Sequence, residues 1–205
     1  RLGPRLRRPR HHPAAGQLRG LIALPPKQPD SCPGVLRPHK AADGALARVR
    51  LPGGAVLPAQ LEVLAELAGD EPIELTSRGN VQLRGVGDLD AARERLAAAG
   101  LLPSATHERV RNIVASPQSG ELRATAAALD RALVARAALA ALPGRFLFAL
   151  DDGAGDVAAL AADAEIRAGV LHLDGSPTDL PCTVDVLLDA AQAFLDLRRD
   201  EWRIR

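Results

Sequence analysis

At 205 residues the chain is long enough to bury a real core as one large domain or two small ones. Three Phe, one Trp, no Tyr and no Met leave Leu, Val and Ala to fill that core, and the net charge of +1 is uneven: residues 1–20 hold six Arg and no acid, so the other 185 carry 20 basic and 25 acidic residues, a net of −5. A mildly acidic body argues against a phosphate-binding surface over the whole fold, and 24 Arg against 2 Lys in a chain rich in Ala, Leu, Pro and Gly reads as compositional bias, so nucleic acid is not an expected partner.

The basic, Pro-interrupted residues 1–30 have no apolar periodicity and are expected to be a disordered tail. No apolar run approaches the roughly 18 residues that span a bilayer. No signal-peptide core follows the basic leader, so no membrane partner and a cytoplasmic location are expected. With no Met and an opening on Arg1, the chain is expected to be a fragment, a processed product or one with a misplaced start. Cys32 and Cys182 lie far apart in unlike contexts, and reduced thiols are the default.

Residues 31–103 form the first ordered region. Ala45–Leu51 alternates, Arg48 and Arg50 on one side and Ala47, Val49 and Leu51 on the other, and Pro52-Gly53-Gly54 closes this strand as a turn. Leu57, Leu61, Leu64 and Leu67 then recur at helical spacing, with Pro58 in the first turn and Gly69 as the stop. Residues 72–86 alternate for twelve positions. Ile73, Leu75, Ser77, Gly79, Val81 and Leu83 fall on one side of an extended chain; Glu74, Thr76, Arg78, Asn80, Gln82 and Arg84 fall on the other, with Arg78-Gly79-Asn80 as a possible bend. Such a face is suited to holding an anion, although solvent-facing arginines paired with Glu account equally for Arg48, Arg50 and Arg84. Asp88 caps a helix to Ala99. Strand, helix, strand, helix is a ferredoxin-like split-βαβ half, whose strands call for a partner sheet.

Residues 104–205 have a different rhythm. The spacing predicts a strand from Val110, a helix of about six turns from Ser119 to Pro143, and a strand over 146–150. A weak helix over 157–164, a strand over 169–174 and an amphipathic helix over 183–197 follow. This is an α/β layer. The scattered histidines and the DDGAGD turn carry neither metal-ligand nor dinucleotide spacing, so no metal site is assigned.

LTSRGNVQLRG resembles the T-x-R-x-x-x-Q-x-R strand of the nitrite/sulfite reductase superfamily. With CPGVLRPHKAADGALARVRLPGG, VRNIVASPQSG and LPGRFLFALDDGAGD in the same order, the chain is similar to the N-terminal half of the precorrin-3B synthase branch. The resemblance implies an α+β fold: a ferredoxin-like half-domain over 31–103, then part of a sirohaem-type α/β domain over 104–205. It also implies an oxidoreductase of aerobic cobalamin synthesis acting on a tetrapyrrole (precorrin) substrate. A second half-domain or a homo-oligomer is the implied protein partner.

The substrate of that branch carries many carboxylates, which several Arg donors can take bidentately while staying charged. The residues the resemblance places on it are Arg78, Gln82, Arg84, Arg111, Asn112 and Arg145, with Arg48 and Arg50 adding to them from the neighbouring strand. Arg145 and Leu147 stand where the reductases carry two proton-delivering lysines. An Arg is a poor proton donor and a Leu is none, which favours the precorrin branch over sulfite or nitrite reduction. A non-catalytic tetrapyrrole-binding module is a further alternative. The family also implies a four-iron four-sulfur cluster and an iron/sirohaem-type centre. The cluster takes four thiolates, whereas this chain has two cysteines, Cys32 and Cys182, each expected to be a structural or incidental thiol.

Overall fold

The computed structural model describes residues 32–42, 44–199 and 201–204; the tail expected at 1–30 lies outside them. The alternation of Ala45–Leu51 becomes strand β2 (Gly44–Val49), which buries Ala47 and Val49. It pairs with a short strand that the sequence pattern does not announce, β1 (His39–Ala41). Helix α1 (Pro58–Ala68) starts with Pro58 in its first turn, and its Leu57 N–H is capped by Gln60 Oε1 at 3.0 Å. Helix α2 (Leu89–Ala98) begins at Asp88, whose Oδ1 accepts the N–H groups of Asp90 and Ala91 at 3.1 and 3.0 Å. Both helices cover one face of the sheet, where Leu64 and Leu96 close over Val49, Val81 and Leu83.

The strand expected over 72–86 is instead a hairpin, folded about the bend at Arg78-Gly79-Asn80. Glu74–Leu75 (β3) turns back to pair antiparallel with Val81–Leu83 (β4), with Glu74 opposite Gln82 and Leu75 opposite Val81, and the sheet order is β1-β2-β4-β3. Alternation survives a hairpin, so it could not reveal the turn. The turn is built by Thr76, whose N–H donates to the Asn80 carbonyl at 2.8 Å and whose Oγ1 accepts the Asn80 N–H at 3.1 Å. Gly79 supplies a φ of 67°, and a Cβ there would lie 3.1 Å from the Gly54 Cα.

The second sheet has the order β5-β6-β7-β8-β9. Strands β5 (Ile113–Ala115), β6 (Phe148–Asp151) and β7 (Ala164–Arg167) run parallel, and β8 (Val170–Leu173) and β9 (Ser176–Pro177) are added antiparallel. Helices α3 (Gly120–Ala135) and α4 (Val184–Leu197) begin at Ser119 and Thr183, whose hydroxyl oxygens each accept an N–H three residues on, both at 3.2 Å. They pack on one face of the sheet, where Phe146 sits between Phe148 and Phe194 with ring centroids 5.0 and 5.2 Å away. The opposite face carries the smaller cluster of Val114, Leu147, Ala149, Val157 and Ala162. The chain is thus a mixed α/β protein, with two sheets and four α-helices among the described residues.

Two helical expectations change in length. The helix after Ser119 stops at Ala135 because Arg136 leaves helical dihedrals (φ −99°, ψ 88°), and a 3-10 segment, Ala137–Ala141, follows. The freed Arg136 carbonyl meets His107 Nε2 at 3.2 Å, while its guanidinium reaches Asp185 and Asp189 near the start of α4 at 2.9 and 2.6 Å. Of the helix expected over 157–164, only a 3-10 turn at Ala158–Leu160 forms. Residues 164–167 pair with β6 instead, a tertiary contact that overrides the alanine-rich local preference. The Pro52–Gly54 turn packs the first unit onto the second. Gly53 (φ 71°) has no room for a side chain, since a Cβ there would lie 3.0 Å from Ala126 Cβ on α3.

Candidate functional site

The hairpin turn carries Arg78 to the face of the second sheet that the helices leave uncovered, and there its Nη1 donates to the Arg145 carbonyl at 3.1 Å. Asn112, just before β5, donates Nδ2 to the carbonyls of Arg109 and Gly144 at 3.1 and 2.8 Å and so fixes the loop that bears Arg145 before β6. Between these groups lies a cleft of about 250 Å³, lined by Arg48, Arg78, Asn112, Arg145 and Cys32 and, among the described residues, by no carboxylate. Ser77 and Arg78 also line an adjoining slot of about 400 Å³, walled by Gly54, Val114, Ala115, Val157 and Leu160, with Asp156 at its edge. A cationic pocket thus opens beside an apolar one, and Arg78 stands between them.

The cations are held by different means. Arg48 gives Nε to Gln82 Oε1 at 3.1 Å, with Nη2 on the same oxygen. Arg145 lays its guanidinium over Trp202, 4.5 Å from the ring centroid. Arg50, 3% exposed, donates Nη2 to the Pro33 carbonyl at 3.3 Å, while its Nε and Nη1 have no partner among the described residues. Burial, then the charge of Arg48, pushes Arg50 down to about 10, which leaves it charged at neutral pH. Burial likewise holds Arg78 below the ordinary guanidinium value, reinforced by nearby Arg203 and opposed by Asp163.

Four of the residues that the sequence points to come together here: Arg48, Arg78, Asn112 and Arg145. Gln82 and Arg84 do not line the cleft. They lie in a ladder on the polar face of the first sheet, where Gln82 Nε2 donates to Glu74 Oε2 at 2.9 Å and Arg84 Nε reaches Glu74 Oε1 at 2.6 Å. Arg111 is 4% exposed and points into the second unit: its Nε and Nη2 take both oxygens of Asp130 at 2.7 Å, and Nη1 donates to the Leu101 carbonyl at 3.2 Å. Its fork is filled by the protein itself. Cys32 is the lining residue that sequence reasoning set aside; its place in the CPGVLRPHK motif was the available signal.

Behind the cleft, the fully buried Asp163 joins three segments. It accepts the Leu147 N–H at 2.8 Å, the Ile204 N–H at 2.7 Å and Arg203 Nε at 3.0 Å. Burial pushes its carboxyl up to about 6 against the pull of Arg203 and the two N–H groups. The folded state therefore holds this proton more tightly than the unfolded chain does. The stability contribution present below pH 4 is lost as pH rises from about 4 to about 6, on the order of 3 kcal/mol at most. Asp163→Asn cannot titrate. In urea unfolding, the stability of the wild type relative to this variant should fall across that window and level off above it; a difference independent of pH would refute the assignment.

The arrangement defines a mixed α/β protein with an arginine-lined cleft where its two sheets meet. Residues 37–99 match the family described as the nitrite/sulfite reductase ferredoxin-like half domain, a likeness of this segment of the chain. No curated protein and no solved structure matches the chain. That domain family belongs to enzymes carrying sirohaem and iron-sulfur centres. The donor set of this chain does not fit the cluster: it offers two thiols where four are needed, and no group of three or more His, Cys, Asp or Glu is placed to hold a metal among the described residues. No step through such a cluster is assigned to its residues. No helix among them is long and apolar enough to cross a membrane.

Proposed function

We propose that the chain binds a polycarboxylated tetrapyrrole of the precorrin type and is the N-terminal part of a precorrin-3B synthase-like oxidoreductase. The observation that carries this reading is a cleft lined by three guanidiniums and, among the described residues, no carboxylate, opening beside an apolar slot. Arg48, Arg78 and Arg145 hold ring carboxylates, and the slot takes an apolar ring edge past Arg78. Each guanidinium keeps its charge at any working pH and meets a carboxylate in planar, bidentate fashion.

The same geometry weighs against reduction of sulfite or nitrite, which calls for proton donors over the bound oxygens. Arg145 is a poor general acid. Leu147, where the resemblance places the second lysine, is fully buried among Val114 and Ala149 and donates only its backbone N–H, to Asp163. The protein partner fitting this reading is a second ferredoxin-like half, whether from a second copy or another chain.

The test is a titration of the protein with sirohydrochlorin, followed by the ligand's own absorbance band at two salt concentrations, beside the same macrocycle with its carboxylates esterified. Binding of the free acid that weakens with salt, with none of the ester, is the expected result. Equal binding of acid and ester would show that the guanidiniums do not recognise the carboxylates.

A further inference from the structure

Cys32 is held at the cleft by an anchored turn. Glu108, 6% exposed, reaches up from the second unit and accepts the Val35 N–H at 2.6 Å and the Leu36 N–H at 3.1 Å. Gly34 leaves the space that carboxylate needs, since a Cβ there would lie 2.4 Å from Glu108 Oε1. The turn therefore sets the half-buried thiol against the guanidiniums of Arg48 on β2, Arg78 on the hairpin and Arg145 before β6. Arg50 comes from below, with Nη2 on the Pro33 carbonyl beside Cys32 and two buried nitrogens without an acceptor among the described residues. Glu108, whose charge reaches Arg50, is occupied by the turn's own N–H groups. Arg50 and Arg78 thus lie close enough to Cys32 for their charges to act on it, Arg48 and Arg145 line the same cleft, and two buried donors of Arg50 have no acceptor among the described residues.

We infer that Cys32 is a reactive thiolate, a site of reversible oxidation by peroxides. Cationic surroundings favour the thiolate, which is the nucleophile, and the sulfur is accessible from the cleft. In the reaction the thiolate attacks one peroxide oxygen. The S–O bond forms as the O–O bond breaks, sulfur loses two electrons to the peroxide, and the departing hydroxide takes a proton from solvent to leave as water, giving Cys32–SOH. The added oxygen sits among the donors that would otherwise take a ligand carboxylate. Oxidation therefore closes the cleft, a consequence that rests on the tetrapyrrole reading, whereas the reactivity of the thiol does not.

The chain contains its own reference. Cys182, the other thiol, lies in the loop before α4, and burial pushes its thiol up. Alkylation of the native chain by iodoacetamide between pH 6 and 9.5, read for each cysteine by peptide mass spectrometry, should show Cys32 reacting more than tenfold faster than Cys182 at pH 7. Its rate midpoint should lie clearly below the ordinary thiol value of about 8.5. Arg78→Gln with Arg145→Gln, both on surface loops, should slow Cys32 several-fold and leave Cys182 unchanged, which mere exposure would not do. A midpoint at or above the ordinary value, or equal rates for the two cysteines, would overturn the inference. So would the absence of a dimedone adduct on Cys32 after one equivalent of hydrogen peroxide. These measurements contain no tetrapyrrole, so they stand or fall separately from the ligand reading. In the titration, peroxide-treated wild type should lose affinity that peroxide-treated Cys32→Ser keeps; equal loss in both would overturn closure of the cleft.

Discussion

Replacing Asp130 by alanine is expected to lower the unfolding free energy by about 3–5 kcal/mol, because it strands the buried guanidinium of Arg111 with one carbonyl for company. The two side chains are 15% and 4% exposed, and both carboxylate oxygens are used at 2.7 Å. The measurement is the urea midpoint, with an unchanged slope. Replacing both partners, Arg111→Met with Asp130→Leu, should restore most of the loss, since the stranded charge and not the missing pair sets the cost. The double variant should bind sirohydrochlorin as the wild type does. A loss below about 1 kcal/mol for Asp130→Ala, or weakened ligand binding by the refolded double variant, would return Arg111 to the ligand.

At the cleft, Arg78→Ala should weaken binding of sirohydrochlorin by about 1.5–3 kcal/mol, roughly 10- to 150-fold, the range of a charge-assisted hydrogen bond. The hairpin should survive, since Thr76, Gly79 and Asn80 build the turn and Asn80 Oδ1 ties it to β2 through the Leu51 N–H at 2.9 Å. Arg95→Ala is the control, because that side chain pairs with Glu66 across α1 and α2, away from the cleft. Added salt should weaken the wild type more than the Arg78 variant, which has one attractive charge fewer. Equal affinities for the two proteins would remove the hairpin tip from the site.

What was legible in the sequence was what is decided locally. Asp88, Ser119 and Thr183 each cap a helix that starts where its pattern says, because a cap and a periodic apolar face act within a few residues. What was not legible depends on partners distant in the chain. Arg111 and Arg78 look alike as sequence, yet Asp130, 19 residues on and one helix later, claims the first, while a turn of five residues delivers the second to an open cleft. Residues 157–164 read as helix, yet only Ala158–Leu160 makes a 3-10 turn, because from Ala164 onward the chain is claimed by pairing with β6. Arg84 faces Glu74 only once the hairpin has folded one half of the alternating stretch onto the other, so a pattern that suggested one donor face contains its own counter-charge.

Trp202 is the only tryptophan, and no tyrosine accompanies it, so near-ultraviolet emission comes from a single indole. That indole is stacked on Arg145 at the rim of the cleft. An anion that draws the guanidinium off the ring changes the electrostatic field and the solvation that the excited indole experiences. The fold thus places an optical probe beside the cleft, whose emission should shift if a colourless carboxylate displaces Arg145 from the ring, although such a ligand has no absorbance band of its own.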